Sequence, residues 1–488
     1  MFKGITMTSE GITPKTPTRC TSVTLGAVLL CIGAAVHAQV VPPGNLPKVP
    51  DQTPIQQPTS NAVQSVCNSF VANAPTYGAP SDSGTPEQRL WSSCRKMVQT
   101  ANQLAGSSTG TANSLGLTSE ELRTGVQAVA PVQMNAQKQM TTEASRNNIV
   151  FSRLLDLRGG GRGINLTVNN LDLSPAPSAS STASAGSVGR GGGASADPTM
   201  GERWGGFVNA GYNWGDVSQT ALQDGYDFSN WGVVAGADYR VSPGLAVGGA
   251  ASYQKTTSDY SNNLGSVKAD TFSLAAYGTY YDEGFYLDGL LSYGWINYDT
   301  VRTINIASNN PNVAPINAVA TASPEGSQWS LVFGGGYNFT QEAFTITPFG
   351  RLGYLYVKNE AFSENEPVAG LGLAVDSRTV DSLQSALGVR LQRAIGTSFG
   401  VVTPYVTAQW NHEFLSDQSS ITSKYVNDPF NVFFTIPTED AGSDYGVFTL
   451  GVSGQFAGGV AAFVQYGATA WLKNVSNQTF AIGVRIPF

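Results

Sequence analysis

From Trp204 onward the apolar positions recur with a period of two. RWGGFVNAGYNW (203–214) puts Trp204 and Trp214 on one parity. TFAIGVRIPF (479–488) puts Phe480, Ile482, Val484, Ile486 and Phe488 on one parity and Ala481, Gly483, Arg485 and Pro487 on the other. That period marks strands with one greasy face. Twelve such segments can be counted, near 204–214, 228–240, 244–254, 267–281, 284–297, 327–340, 343–357, 382–394, 399–414, 445–456, 459–468 and 477–488. Trp204 and Trp214 are ten residues apart. That is roughly 33 Å along a strand, or about 25 Å along the axis of a barrel whose strands tilt near 40°. The spacing fits the two aromatic girdles of a membrane-spanning strand.

The connections sharpen the picture. Those after the second, fourth, sixth, eighth and tenth strands are short (VSPG, YDEG, TQEA, IGTS, AGG), while the others are longer, up to about thirty residues at 298–326 and 415–444. Short turns alternating with long loops, and an even strand count, describe an outer-membrane barrel. The expected fold is therefore all-β, a 12-stranded antiparallel transmembrane β-barrel. A soluble sandwich also alternates, but it does not place aromatics at both ends of an exposed face.

Parity assigns the faces. In GVVAGADYR, Val233, Ala235, Ala237 and Tyr239 point one way, and Asp238 and Arg240 the other. Hydrocarbon does not solvate charge, so the charged parity faces the lumen. On this argument Asp238, Arg240, Asp288, Arg351, Arg390 and Arg485 line the lumen, and Trp204, Trp214 and Tyr239 belong to the girdles. The loops at 298–326 and 358–381 are expected to be solvated.

Before Trp204 the period is lost. Residues 61–158 are polar, Ala/Gln/Ser-rich and helical in pattern, and TSEELRTGVQAVA offers Thr118 or Ser119 as a cap with Glu120 and Glu121 in the first turn. The small-residue run 174–202 reads as a flexible linker. At the front, Lys3, Lys15 and Arg19 precede the apolar run 23–36, and Val36-His37-Ala38 supplies a cleavage site, so residues 1–38 read as a signal peptide. The expected organisation is a signal peptide at 1–38, a short passenger-like helical region at 39–171, a linker at 172–203 and the barrel at 204–488. Export leaves two cysteines, Cys67 and Cys94, in an oxidising compartment, where a disulfide is expected.

Composition agrees and narrows the chemistry. Charged residues are 12% of the chain, there are 55 glycines, 22 Phe, 19 Tyr and 8 Trp, and mean hydropathy is −0.09, which excludes a bundle of membrane-spanning helices. With a net charge of −7 and no basic run, no nucleic-acid partner is expected. His412 is the one histidine left after export, and it adjoins Glu413, which points to the opposite face. A rim or packing role is expected for it. No catalytic residue, metal ligand or cofactor is assigned.

Three stretches together resemble the autotransporter (type V secretion) β-barrel domain. They are TPYVTAQWNHEF (403–414), ITPFGRLGYLYVK (346–358) with its inward arginine, and AIGVRIPF (481–488). The resemblance covers about residues 204–488. It implies a Gram-negative outer-membrane location and a C-terminal assembly signal made by Phe480, Ile482, Val484, Ile486 and Phe488. The implied partners are outer-membrane lipid, the barrel-assembly machinery and periplasmic chaperones, with a surface or host ligand left unassigned. It also implies a helix in the pore. Here that helix would come from NNIVFSRLLDLR, with Asn147, Asn148, Arg153 and Arg158, and is expected to be uncleaved.

The expected function is a non-enzymatic barrel that anchors, and translocates or displays, its own short N-terminal region. One alternative is an outer-membrane channel gated or plugged by a periplasmic N-terminal helix. A second is an outer-membrane hydrolase.

Overall fold

The structure, a computed structural model, describes residues 45–131, the backbone of 167–168 and 171–172, and residues 203–416, 419–440, 442–456 and 460–487. The signal peptide, the candidate pore helix at Asn147, Asn148, Arg153 and Arg158, most of the linker and Phe488 lie outside the described residues.

Twelve long strands form the barrel: β1 (Trp204–Val217), β2 (Tyr226–Ser242), β3 (Leu245–Tyr260), β4 (Gly265–Asp282), β5 (Phe285–Ile306) and β6 (Glu325–Tyr337), followed by β7 (Phe344–Asn359), β8 (Arg378–Arg393), β9 (Gly400–Glu413), β10 (Asp444–Phe456), β11 (Ala461–Ala470) and β12 (Val475–Pro487). Each pairs antiparallel with its sequence neighbours, and β12 closes on β1 from Val475↔Val217 to Pro487↔Gly205. Closure leaves no edge for water or another chain to satisfy, which is the condition for a sheet to stand in hydrocarbon. The β4–β5 turn shows how tight the short side is. Glu283 (φ 42) and Gly284 (φ 96) are both left-handed, as a two-residue hairpin of the primed type requires.

The strands run past the expected ends, almost always on the long-loop side. β5 continues to Ile306, beyond the 297 expected, and Thr300–Ile306 pairs with a returning strand, Ile316–Ala322. Above the membrane the apolar alternation has no lipid to serve, but the hydrogen-bond ladder continues. The expectation of solvated loops is corrected here. Segments Phe362–Ser363 and Leu373–Val375 from the connection after β7, and Ser420–Tyr425 and Phe434–Pro437 from the connection after β9, form a separate four-stranded antiparallel sheet.

That sheet supports the helical region. Helices α1 (Gln56–Ala72), α2 (Ala74–Tyr77), α3 (Pro86–Leu104) and α4 (Ser119–Ala128) precede the barrel. Thr85 caps α3 and Thr118 caps α4, each in a reciprocal box with the residue three positions on, Gln88 and Glu121. One apolar core joins these helices to the loops. Phe70, Leu90, Trp91, Met97, Leu122 and Val126 pack with Ile304, Ile306 and Ile316 of the β5 hairpin, with Leu371 of the loop after β7, and with Leu373, Ile421, Tyr425 and Ile436 of the small sheet.

Candidate functional site

The outer surface of the barrel is apolar and bounded by rings of aromatics. On the short-turn side Trp204 and Tyr239 face each other in register, ring centroids 5.0 Å apart, with Tyr280, Phe285, Tyr337, Phe339, Phe344 and Phe399 exposed at the same level. On the loop side Trp214 stacks on Tyr212, Trp231 meets Tyr253, and Phe272 stacks on Trp295. Phe480, Ile482, Val484 and Ile486 of β12 all point outward between the rings, 41–57% exposed. Rings at both interfaces with aliphatics between them match a bilayer's polarity profile.

The opposite parity is polar. Asp238, Asp288 and Arg485 are buried on the inward side, and Arg240, Arg351 and Arg390 are half-buried there. Arg390 lies over the Tyr405 ring at 3.5 Å and donates to Gln392 Oε1, while the Tyr405 hydroxyl donates to Gln465. Arg351 lies over Phe349 at 4.9 Å. Each guanidinium thus rests on an inward aromatic face. Inward polar side chains through the barrel's height, including Asn209, Asn230, Gln254, Ser292 and Ser330, are 1–4% exposed.

The most heavily built site lies where the helical region meets the long loops. Arg302, on the part of β5 beyond Trp295, is the hub. Its Nε donates to Glu364 Oε1 at 3.0 Å and its Nη2 to Glu364 Oε2. Nη2 also reaches the Leu371 carbonyl at 2.8 Å, and Nη1 reaches the Ala128 carbonyl at the end of α4 at 3.0 Å. Burial opposes the arginine's charge, but the Glu364 carboxylate more than offsets it and raises the guanidinium above its ordinary value. Glu366 accepts the amides of Val368, Ala369 and Leu371, fixing the loop that touches α3. There Ser93 Oγ donates to the Ala369 carbonyl at 2.8 Å. At the hairpin tip, Asn309 and Asn310 donate their amides to the Leu115 carbonyl. Sequence reading missed Arg302, Glu364 and Glu366. The available signal was two glutamates beside the apolar run LGLAV (371–375) in a supposed loop.

His412 is placed at the loop-side rim. Its Nδ1 lies 3.0 Å from Asp444 Oδ1, an oxygen that also accepts from Trp410 Nε1 at 3.0 Å. Its ring packs on Phe414 with centroids 4.6 Å apart. Glu413 points inward, buried, and accepts from Ser382 Oγ and the amides of Leu383 and Leu415. The two residues are thus committed to different partners on different faces. In the loop 438–444, Glu439 and Asp440 are both engaged by Lys473, at 2.9 and 3.0 Å.

Cys67 of α1 and Cys94 of α3, expected from the sequence to pair as a disulfide, lie side by side in the core as free thiols, 0% and 1% exposed. Burial pushes the Cys94 thiol up, and the adjoining Cys67 adds to the shift.

Comparison with known proteins follows the same lines. A family model for the autotransporter beta-domain matches residues 206–467. An extracellular serine protease of Serratia marcescens is 25% identical over 223 residues, 45% of this chain and 20% of the relative. The autotransporter adhesin/invasin TibA of Escherichia coli O78:H11 (strain H10407 / ETEC) is 24% identical over 309 residues, 57% of this chain and 28% of the relative. The match thus spans only 20–28% of the length of these relatives. Among solved structures, the translocator domain of autotransporter NalP from Neisseria meningitidis aligns with a TM-score of 0.46 at 19% identity, over 59% of this chain and 89% of that one. The family match covers more than half of the chain and falls on a closed barrel with two aromatic girdles, so the protein belongs to the autotransporter beta-domain family of Gram-negative outer-membrane proteins.

Proposed function

We propose that the barrel carries its own N-terminal helical region across the outer membrane and holds it at the cell surface as a docked, uncleaved domain. The observation that carries this reading is which end of the barrel the helices occupy. They pack on the β5 hairpin and the small sheet, at the long-loop end, whereas β1 begins at Trp204 on the short-turn end. In outer-membrane barrels the short turns face the periplasm. The chain must therefore pass from Pro131, beside Asp224, Tyr260 and Arg302, to Trp204 at the opposite end. A route outside the barrel would run unpaired backbone through hydrocarbon. The lumen is the remaining route, and the burial of its inward polar side chains fits an occupied interior.

In this scheme residues 1–38 are the leader, 39–171 supply the displayed region and the segment that crosses the pore, with Asn147 to Arg158 as the pore helix, and 172–203 return the chain to β1. Family barrels are assembled in the outer membrane by the barrel-assembly machinery; for this chain, Phe480, Ile482, Val484, Ile486 and Phe488 are the proposed signal it reads. The reading assigns no catalytic step, because His412 and Asp444 are satisfied at the lipid-facing rim by each other and by Trp410. A channel plugged from the periplasm would instead need the helices at the turn end.

The test is protease shaving of intact cells with an epitope tag after Ser83, which is exposed. Removal of the tag with a periplasmic marker intact supports display. Protection until the outer membrane is opened would favour the plugged channel.

A further inference from the structure

The barrel wall carries a break at the turn-side end of the β8–β9 seam. Register pairs run from Gln384↔Glu413 to Gln392↔Tyr405, and the seam resumes only at Ile395↔Val402. Between them Arg393 and Ala394 face Thr403 and Pro404 without pairing, and Pro404 brings no N–H to a ladder. The Ala394 amide turns instead to the Ala343 carbonyl on the β7 side. On the outward face beside this break lies an apolar hollow of about 520 Å³, bounded by Phe344 and Arg393 at one end and by Tyr466 and Phe480 at the other, with Pro404 and Val464 between. Its long axis follows one row of exposed side chains, since Leu391, Val406, Leu450, Tyr466 and Phe480 stand opposite one another across five strands. Four strand spacings of about 4.8 Å make that row roughly 19 Å long. It starts at the turn-side rim, where β8 ends at Arg393, and climbs to Phe480, which pairs with Tyr212 near the loop-side girdle. Arg393 is exposed on the same parity as Leu391, and its guanidinium lies over the Phe344 ring at 5.1 Å. Among the described residues no carboxylate pairs with it.

We propose that this hollow binds a glycerophospholipid of the periplasmic leaflet, which the short turns face, with the lipid phosphate on the Arg393 guanidinium and an acyl chain laid across β9, β10 and β11. The two ends of the site together select this occupant. A guanidinium without a carboxylate, at the edge of hydrocarbon, is costly unless an anion meets it, and its fork of donors matches phosphate. The elongated apolar hollow opens along its side to the bilayer, so a flexible hydrocarbon chain enters it laterally, tethered to the headgroup at the rim. The site belongs to the barrel wall, and the position of the helical region does not enter it.

The test uses the full-length protein in mixed phosphatidylcholine and phosphatidylglycerol vesicles, with a trace of phosphatidylglycerol carrying a photoactivatable diazirine in one acyl chain. Adducts mapped by peptide mass spectrometry should concentrate around Leu391, Val406 and Val464. Arg393→Gln should lower them about fivefold, and Arg393→Lys, which keeps the charge, should lose less. Val464→Trp, which fills the hollow away from the charge, should lower them as well. A diacylglycerol probe with the same chain and no phosphate should label these segments weakly and ignore Arg393→Gln. Heat-modifiable migration checks that each variant is folded. Adducts spread evenly over the outward face, or adducts at the hollow unchanged in both Arg393→Gln and Val464→Trp, would mean bulk bilayer contact only and overturn the site. Equal labelling by diacylglycerol would overturn recognition of the phosphate.

Discussion

Arg302 and Glu364 form a buried ion pair, 3% and 4% exposed, at the join between the barrel mouth and the helical region. The arginine also holds the last carbonyl of α4 and the Leu371 carbonyl, so one side chain ties three segments of chain together. Removing one partner of such a pair leaves the other charge buried and uncompensated, at a cost of about 3–5 kcal/mol, whereas replacing both with apolar groups of similar size costs far less. Arg302→Ala is expected to undock the helices, seen as rapid proteolysis within residues 45–131, with the heat-modifiable barrel unchanged. Arg302→Met with Glu364→Leu should recover most of the resistance. A single variant as protease-resistant as the parent would show that the apolar core alone sustains docking.

Gly370 allows a second perturbation that touches no charge. It holds φ +74 against the first turns of α3, where a side chain meets backbone, not movable atoms. Both the left-handed strain, about 1–3 kcal/mol, and the collision act against Gly370→Val. The variant should lower the unfolding temperature of the helical region in detergent while β-sheet circular dichroism persists at higher temperature. Coincident loss of both signals would mean that barrel and helices unfold as one unit.

The barrel was legible because lipid imposes a rule on every second residue. Trp204, Val208 and Tyr212 had to be apolar or interfacial, and Asp238 and Arg485 had to face the other way, so parity alone carried the twelve strands. The mouth was not legible because no such rule acts above the membrane. Leu371, Leu373 and Ile436 are short apolar runs within Ser/Asn-rich connections, and what they bury against lies more than 200 residues earlier in the sequence, in α1 and α3. Thr118 was recognisable as a cap from local spacing, but the contact of Gly125 with Ile306 depends on how β5 overshoots the membrane.

Asp224 makes the docked state sensitive to pH. It lies in the β1–β2 loop, and both of its carboxylate oxygens accept from Gln127 Nε2, at 3.1 and 3.2 Å, near the end of α4, with Tyr260 close by. Burial raises its carboxyl above the ordinary value of 3.8, and the Gln127 hydrogen bond only partly opposes that. A raised folded value means the docked form binds the proton more tightly than the open form. Its contribution to docking is therefore full below 3.8 and is lost as pH rises through the raised value. Asp224→Asn should remove this slope and make docking more stable at neutral pH. Protease resistance measured from pH 4 to pH 8 in parent and variant checks it, and parallel profiles would contradict it.

The last strand separates lipid-face energetics from assembly. Ile482 pairs with Ala210, midway between Trp204 and Trp214, and is 48% exposed toward the bilayer. An arginine there costs about 2–4 kcal/mol, while a valine keeps the apolar face. Ile482→Arg should therefore lower the amount of heat-modifiable barrel in outer-membrane fractions, and Ile482→Val should leave it near the parent level. Deletion of Phe488 changes no residue between the girdles, so a comparable fall in that variant would arise from recognition during assembly. The two effects separate in vitro. Refolding urea-unfolded protein into short-chain phospholipid vesicles involves no assembly machinery, so the Phe488 deletion should fold like the parent there and Ile482→Arg should not. Equal refolding defects would make the terminal residue part of barrel stability instead of an assembly signal.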